Sequence, residues 1–179
     1  MHKGTLVAGA AVLLLSSAAL AQSTTEKTGI NSALGVSPST ADFVSEAANS
    51  DMLEIGAAKI AEEKGNAEEK KFAKEMITDH SKTTSELKGL VTSGEVKAEL
   101  PTQMDSAHEK KLQKLRDTSA GNFHLEYDPM QVSAHKEAVS LFERYSKSGD
   151  NPKLKDWAGK TLPILQHHLE MAQALEKRD

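Results

Sequence analysis

Cysteine is absent from all 179 residues, and the aromatic set is one tryptophan, two tyrosines and four phenylalanines. Without thiols the fold holds with no disulfide staple, and no cysteine is available to carry a lipid anchor. The apolar/polar alternation of a half-buried strand is missing, and β-branched and aromatic residues are sparse, which argues against a sheet. The longest apolar run, Leu6 to Leu15, is well short of the ~20 residues of a membrane-spanning helix, so no integral membrane segment is expected beyond the leader. Basic residues are unclustered, which argues against nucleic acid as a partner. Nucleophile motifs, a glycine-rich phosphate loop and a calcium loop are also missing, so hydrolase chemistry has no support.

What stands at the start is a secretory leader. Lys3 supplies a positive end, Leu6 to Leu15 the apolar run, and Ser16-Ser17-Ala18-Ala19-Leu20-Ala21 a small-residue cleavage site with Ala19 and Ala21 at its −3 and −1 positions. Residues 1–21 are therefore expected to be a signal peptide, with the exported chain starting at Gln22. Removing Lys3 leaves 21 basic and 26 acidic side chains, a net charge of −5 with histidines neutral. Residues 22–38, rich in Ser, Thr, Gly and Asn and without periodic apolar positions, read as a flexible linker. Residues 39–179 then form one folded domain, large enough for a single core.

Within that domain the punctuation is helical. Ser39 after Pro38 reads as an N-cap with Asp42 three residues on, and the helix should run to about Lys64, where Gly65 stops it. Asn66 and Glu69 form a capping-box pattern for a second helix, to about Thr92. A shorter helix from about Gln103 to Asp117 carries Met104, His108, Leu112 and Leu115 on one side. After the break at residues 119–122, a third long helix spans about Phe123 to Lys147, with Pro129 either a kink or the first turn. Gly149, Asn151 and Pro152 then give a loop, a cap and a proline at the first helical position of the last helix, which runs to about Lys177 with Pro163 a kink. Four long helices with a short extra helix in the crossover between the second and third predict an all-α, ferritin-like antiparallel four-helix bundle.

Chemistry is sought where polar residues interrupt apolar stripes, because a bundle interior is where side chains of different helices converge. The second helix buries Ala73, Met76, His80, Thr83, Leu87 and Leu90; the third Tyr127, Gln131, His135, Ala138 and Phe142; the last Leu154, Trp157, Thr161, Leu165, His168, Met171 and Leu175. The first offers Phe43, Ala47, Glu54, Ala58 and Ala61, with Glu54 the acid at its centre. One candidate ligand thus falls on the core side of each long helix: Glu54, His80, His135 and His168. Neutral imidazole and carboxylate suit one transition-metal ion, zinc, copper or iron, and three histidines with one carboxylate complete a four-coordinate site. The same residues could be satisfied without metal, the histidines by a backbone carbonyl, by a hydroxyl such as Thr83 or Thr161 or by a carboxylate, and Glu54 by pairing with a histidine. His108 reads as a partly buried packing residue, and His124 and His167 as exposed. Met76 and Met171, each one turn from a histidine, read as core filler.

The residues also resemble a bacterial family of exported, ferritin-like proteins of unknown function, whose members are often labelled membrane or outer-membrane proteins. The resemblance rests on Asp42-Phe43-Val44, Ala47-Ala48 and Glu54; on Phe72-Ala73 and Met76-Ile77-Thr78-Asp79-His80; on Leu100-Pro101 and Gln131-Val132 with His135; and on Leu162-Pro163 with His168-Leu169-Glu170-Met171-Ala172. Phe123-His124 stands where the family usually shows Phe-Asp, and Pro129 is an unusual insertion. The resemblance implies a bundle and a periplasmic location, with peripheral outer-membrane association as a variant, and brings no activity.

Three functions are therefore weighed. The first is a non-catalytic exported bundle, envelope- or stress-related, that binds a protein or a small ligand. The second is a mononuclear metal-binding protein for sequestration or delivery, which requires Glu54, His80, His135 and His168 to cluster. The third is a redox enzyme. Di-iron proteins of this architecture use Glu-x-x-His on two helices, and Ile77, Val132 and Leu165 stand where those glutamates would, so too few carboxylates are expected to reach the core for a ferroxidase.

Overall fold

The structure, a computed structural model, describes residues 29–178; the expected leader, and the expected linker up to residue 28, lie outside the described residues. Six α-helices and no strands are found among them: α1 (Ile30–Ala33), α2 (Thr40–Lys64), α3 (Ala67–Thr92), α4 (Ser106–Asp117), α5 (Phe123–Ser148) and α6 (Pro152–Glu176). A 3-10 turn, Ala120–Asn122, leads into α5.

The long helices begin and end where local chemistry dictates. The Ser39 hydroxyl accepts from the Asp42 amide, and at α3 the Asn66 side chain accepts from the Glu68 and Glu69 amides while the Glu69 carboxylate takes the Asn66 N–H, a complete capping box. At α6 the Asn151 side chain accepts from the Lys153 and Leu154 amides, and Pro152 occupies the first turn, where its missing N–H is no loss. Gly65 ends α2 by allowing a close approach and not by a left-handed backbone. Its φ is −71°, and a Cβ there would lie 2.6 Å from the Ala61 carbonyl oxygen.

Pairs across helices fix the directions. Trp157 Nε1 donates to Glu86 at 2.9 Å, His168 meets Asp79 at 3.0 Å and Arg178 meets Glu68 at 3.1 Å, so residue numbers rise along α6 as they fall along α3. The two-residue turn at 65–66 reverses α2 into α3. Thr40, at the start of α2, bonds the Tyr145 hydroxyl near the end of α5 at 2.6 Å, so these two are also antiparallel. It follows that α3 and α5 run parallel, and the segment between them must return along the whole length. It starts beside the α5–α6 loop, where Asn151 donates to the Glu95 carbonyl at 3.0 Å. It finishes at the far end, where the Lys64 ammonium donates to the carbonyls of Leu115, Arg116 and Thr118 at the C-terminus of α4.

The interior is two apolar clusters separated by a polar layer. One cluster gathers Phe43, Val44, Leu87, Phe142, Tyr145, Leu154, Trp157 and Leu165, with the Phe43 and Tyr145 rings stacked 4.2 Å apart. The other gathers Leu53, Phe72, Met76, Leu112, Leu115, Phe123, Tyr127 and Leu175. Between them every long helix contributes buried polar side chains: Asp51 and Glu54, His80 and Thr83, Gln131 and His135, Thr161 and His168.

Three local expectations change. The crossover helix starts at Ser106 and not near Gln103, because Asp105 caps it through the amides of Ala107 and His108. Pro129 lies inside α5, which begins at Phe123, and is neither its first turn nor its start. Residues 29–38, within the stretch expected to be linker, include the single turn α1, whose Ser32 hydroxyl lies 3.0 Å from that of Ser140 on α5.

The Asp105 cap carries a pH signature. Burial alone would raise its pKa, but hydrogen bonds from the His108 amide and imidazole and from the Ala107 amide hold it below the usual carboxylate range. A carboxyl depressed in the folded state stabilises fully above its unfolded pKa, near 4, and that contribution fades as pH falls through the folded value. We expect Asp105→Ala to cost about 1 kcal/mol in urea denaturation at neutral pH. The difference from the parent should shrink once the medium is acidic enough to protonate the folded carboxyl.

Candidate metal centre

Helical spacing carries one histidine from each of three helices into the polar layer. His80 follows Met76 and precedes Thr83 and Leu87 on the buried stripe of α3, His135 lies between Gln131 and Ala138 on α5, and His168 between Leu165 and Ala172 on α6. All three are at most 2 % exposed. Their ring centroids are 5.4 to 5.8 Å apart, and one ligating nitrogen of each lies within 4.8 Å of those of the other two.

Each ring is held on one side and free on the other. His80 Nδ1 meets the Asp51 carboxylate at 2.8 Å, His135 Nδ1 the Gln131 carbonyl at 2.9 Å and His168 Nε2 the Asp79 carboxylate at 3.0 Å. The remaining nitrogens, His80 Nε2, His135 Nε2 and His168 Nδ1, are buried and have no hydrogen-bond partner. An acceptor on one nitrogen places the proton there and leaves the lone pair of the other for a ligand, the arrangement that tunes metal-bound histidines. Two bonds of ~2 Å span up to about 4 Å between nitrogens. Drawing this trio onto one ion therefore takes side-chain shifts of up to about an ångström.

The electrostatics split the trio. Burial lowers His168, and the charges of His80 and His135 lower it further, so that despite the Asp79 hydrogen bond it is pushed down to about 4. Burial also lowers His135, with Glu54 only partly offsetting it. On His80 burial acts the same way, but the Asp51 hydrogen bond and charge, with Glu54 and Asp79, outweigh it and raise the pKa. His135 and His168 thus favour the neutral, ligating form at neutral pH.

Glu54 does not join the group that meets within 4.8 Å, which comprises the three histidines. The reason is axial position. Asp51 stands opposite His80, and Glu54, three residues on, sits about 4.5 Å further along α2. It is nevertheless 1 % exposed with both carboxylate oxygens unpartnered, and its charge acts on His80, His135 and Tyr127. The buried Tyr127 hydroxyl has no partner either; burial, then the charges of Glu54, Asp128 and Glu69, push its pKa well above the usual phenol value.

Of the metal-free partners weighed from sequence, a carboxylate or a backbone carbonyl does hold one nitrogen of each ring, and the hydroxyls and Glu54 do not. Thr83 bonds Asp51 and the His80 carbonyl, Thr161 bonds the Trp157 carbonyl, and neither hydroxyl holds an imidazole; only His135 takes a backbone carbonyl. The residues that hold His80 and His168, Asp51 and Asp79, escaped the sequence reading. Asp51 was recoverable, since 47, 51, 54 and 58 follow steps of four, three and four along the α2 stripe. Asp79 was not, because as the neighbour of His80 it points about 100° off that stripe and meets His168 only through the register of α3 on α6. Asp42, Asp51, Glu54, Glu69 and Asp128 are all buried, but Asp42 and Glu69 serve helix caps and none of the five belongs to a Glu-x-x-His pair. His108 is half-buried with Nδ1 on Asp105, His167 is exposed, and His124 is half-buried where exposure was expected.

These features define a protein that is all-helical among the described residues and holds a buried histidine trio, each ring with one unpartnered nitrogen. A family model described as a domain of unknown function, DUF4142, matches residues 25–175, and the chain belongs to that family. No curated protein and no solved structure matches the chain.

Asp51 also joins helices. One carboxylate oxygen takes His80, and the other accepts from the Thr83 and Thr84 hydroxyls. Replacing it by alanine leaves the buried His80 ring without its hydrogen-bond partner and takes one acceptor from each of Thr83 and Thr84, and we expect Asp51→Ala to lower stability by about 1–3 kcal/mol. The urea midpoint should fall with the slope of the transition unchanged.

Proposed function

We propose that this protein is an exported metal-binding protein: a ferritin-like four-helix bundle that holds one transition-metal ion, zinc, copper or iron, between His80, His135 and His168, with Glu54 able to supply an oxygen. One observation carries the reading. Three buried imidazoles from three helices each have one nitrogen anchored outward and the other left with no partner. Unpartnered buried polar groups cost about 1–3 kcal/mol each, and a shared cation removes three such penalties at once. The non-catalytic, partner-binding reading gives those nitrogens nothing to do.

The ferritin-like assignment is supported by the helix directions and by the long connection between α3 and α5. No helix among the described residues is long and apolar enough to cross a membrane. Export is supported by the leader pattern of residues 1–21, and with it the periplasm as working compartment. A single nitrogen-rich position suits sequestration or delivery. Oxygen chemistry of the di-iron kind would require the paired Glu-x-x-His motifs that this chain lacks.

Titration of the metal-stripped protein with Zn(II) or Cu(II) tests the proposal. One equivalent should bind, and the thermal midpoint should rise with free metal as preferential binding to the folded state requires. His80→Ala and His168→Ala should each weaken binding by about 10-fold or more, while His124→Ala leaves it unchanged. Equal affinity in all three variants would refute the assignment.

A further inference from the structure

The anchors of the three imidazoles differ in their access to water. Gln131 is buried and the Asp51 side chain is 10 % exposed, whereas the Asp79 side chain is 32 % exposed. Among these anchors, the His168–Asp79 contact is the one through which the trio reaches the surface. One turn earlier on α3 stands Glu75, also partly exposed, and ligand atoms of Glu75, Asp79 and His168 lie within 4.8 Å of one another. His167 Nε2 adds a further donor 3.7 Å from Glu75 Oε1. His168 is thus a buried ring, 1 % exposed, with two faces of different chemistry. Its Nδ1 is unpartnered in the interior, and its Nε2 meets the Asp79 carboxylate, with Glu75 completing the group within 4.8 Å.

We propose that Glu75, Asp79 and His168 form a second cation position, at which a hydrated divalent transition-metal ion is captured before it passes to the buried centre. This rests on the reading of His80, His135 and His168 as that centre. Holding the His168 ring explains Asp79 alone. It leaves Glu75 unexplained, since its contact with His167 is longer than a hydrogen bond. As a cation position the set is coherent. Two carboxylates one turn apart concentrate negative potential where cations arrive, and their partial exposure spares much of the desolvation penalty of a buried ion. Oxygen ligands hold a hydrated divalent ion less tightly than three imidazoles hold a borderline one, so the gradient runs inward.

The proton balance closes on one ring. With the ion outside, His168 ligates through Nε2 and carries its proton on Nδ1. With the ion inside, Nδ1 ligates, and the proton lies on Nε2, where Asp79 accepts its hydrogen bond as observed. The ring stays neutral in both states.

Stopped-flow uptake of Zn(II) by the full metal-stripped protein separates the two positions, because Glu75 belongs to the outer group and not to the three-histidine one. Glu75→Gln should slow loading about tenfold while the final stoichiometry stays at one. His135→Ala, which damages the inner centre, should retain one weak Co(II) site with an oxygen-rich absorption spectrum, and adding Glu75→Gln should abolish it. Unchanged loading by Glu75→Gln, or no residual site in His135→Ala, would overturn the surface position and leave the inner centre standing. Failure of the parent protein to take up metal would overturn the centre itself.

Discussion

Three imidazole rings packed face to interior, each with an unsatisfied nitrogen, set the terms for the rest of this fold. Their anchors tie helices together: Asp51 on α2 holds His80 on α3, Asp79 on α3 holds His168 on α6, and Gln131 holds His135 within α5. A hydrogen bond so placed fixes axial register as well as distance, since a slide of one turn would put the carboxylate opposite an apolar residue. The apolar clusters above and below supply the burial that keeps such a layer closed, with Phe43, Phe142 and Trp157 on one side and Phe72, Phe123 and Tyr127 on the other. Hydrophobic burial stabilises the bundle, and the polar layer selects one alignment of it.

Charge gives the layer its direction. Asp51 supports a proton on His80, while burial keeps His135 and His168 neutral, and Glu54 adds an unpartnered carboxylate to the same interior. Negative potential from Asp51, Glu54 and Asp79 surrounds lone pairs that have no proton donor. A cation answers both features, and it does so without a thiol, in a chain that has none.

Helix boundaries were legible in the sequence because capping is local. Ser39, the Asn66–Glu69 box and Asn151 with Pro152 act within four residues of themselves, and the periodic stripes named His80, His135 and His168 as inward. The start of α4 falls at Ser106 instead of near Gln103 because Asp105, a side chain that no apolar stripe marks, caps it. What the stripes could not convey was distance along the bundle axis. Glu54 is inward, yet it sits one step beyond the histidines, and the α2 carboxylate that meets His80 is that of Asp51. Asp79 and Glu75 were hidden for the same reason: their meaning depends on the register between α3 and α6, which no single helix carries. The DUF4142 family match gives a place among relatives and no chemistry, so the chemical reading rests on these side chains.

X-ray absorption of the metal-loaded protein tests the central claim most directly. The account requires three imidazole nitrogens at about 2.0–2.1 Å from a zinc ion, with the outer-ring scattering of histidine and at most one or two oxygen ligands. A shell dominated by oxygen, or one containing fewer than two imidazoles, would contradict it.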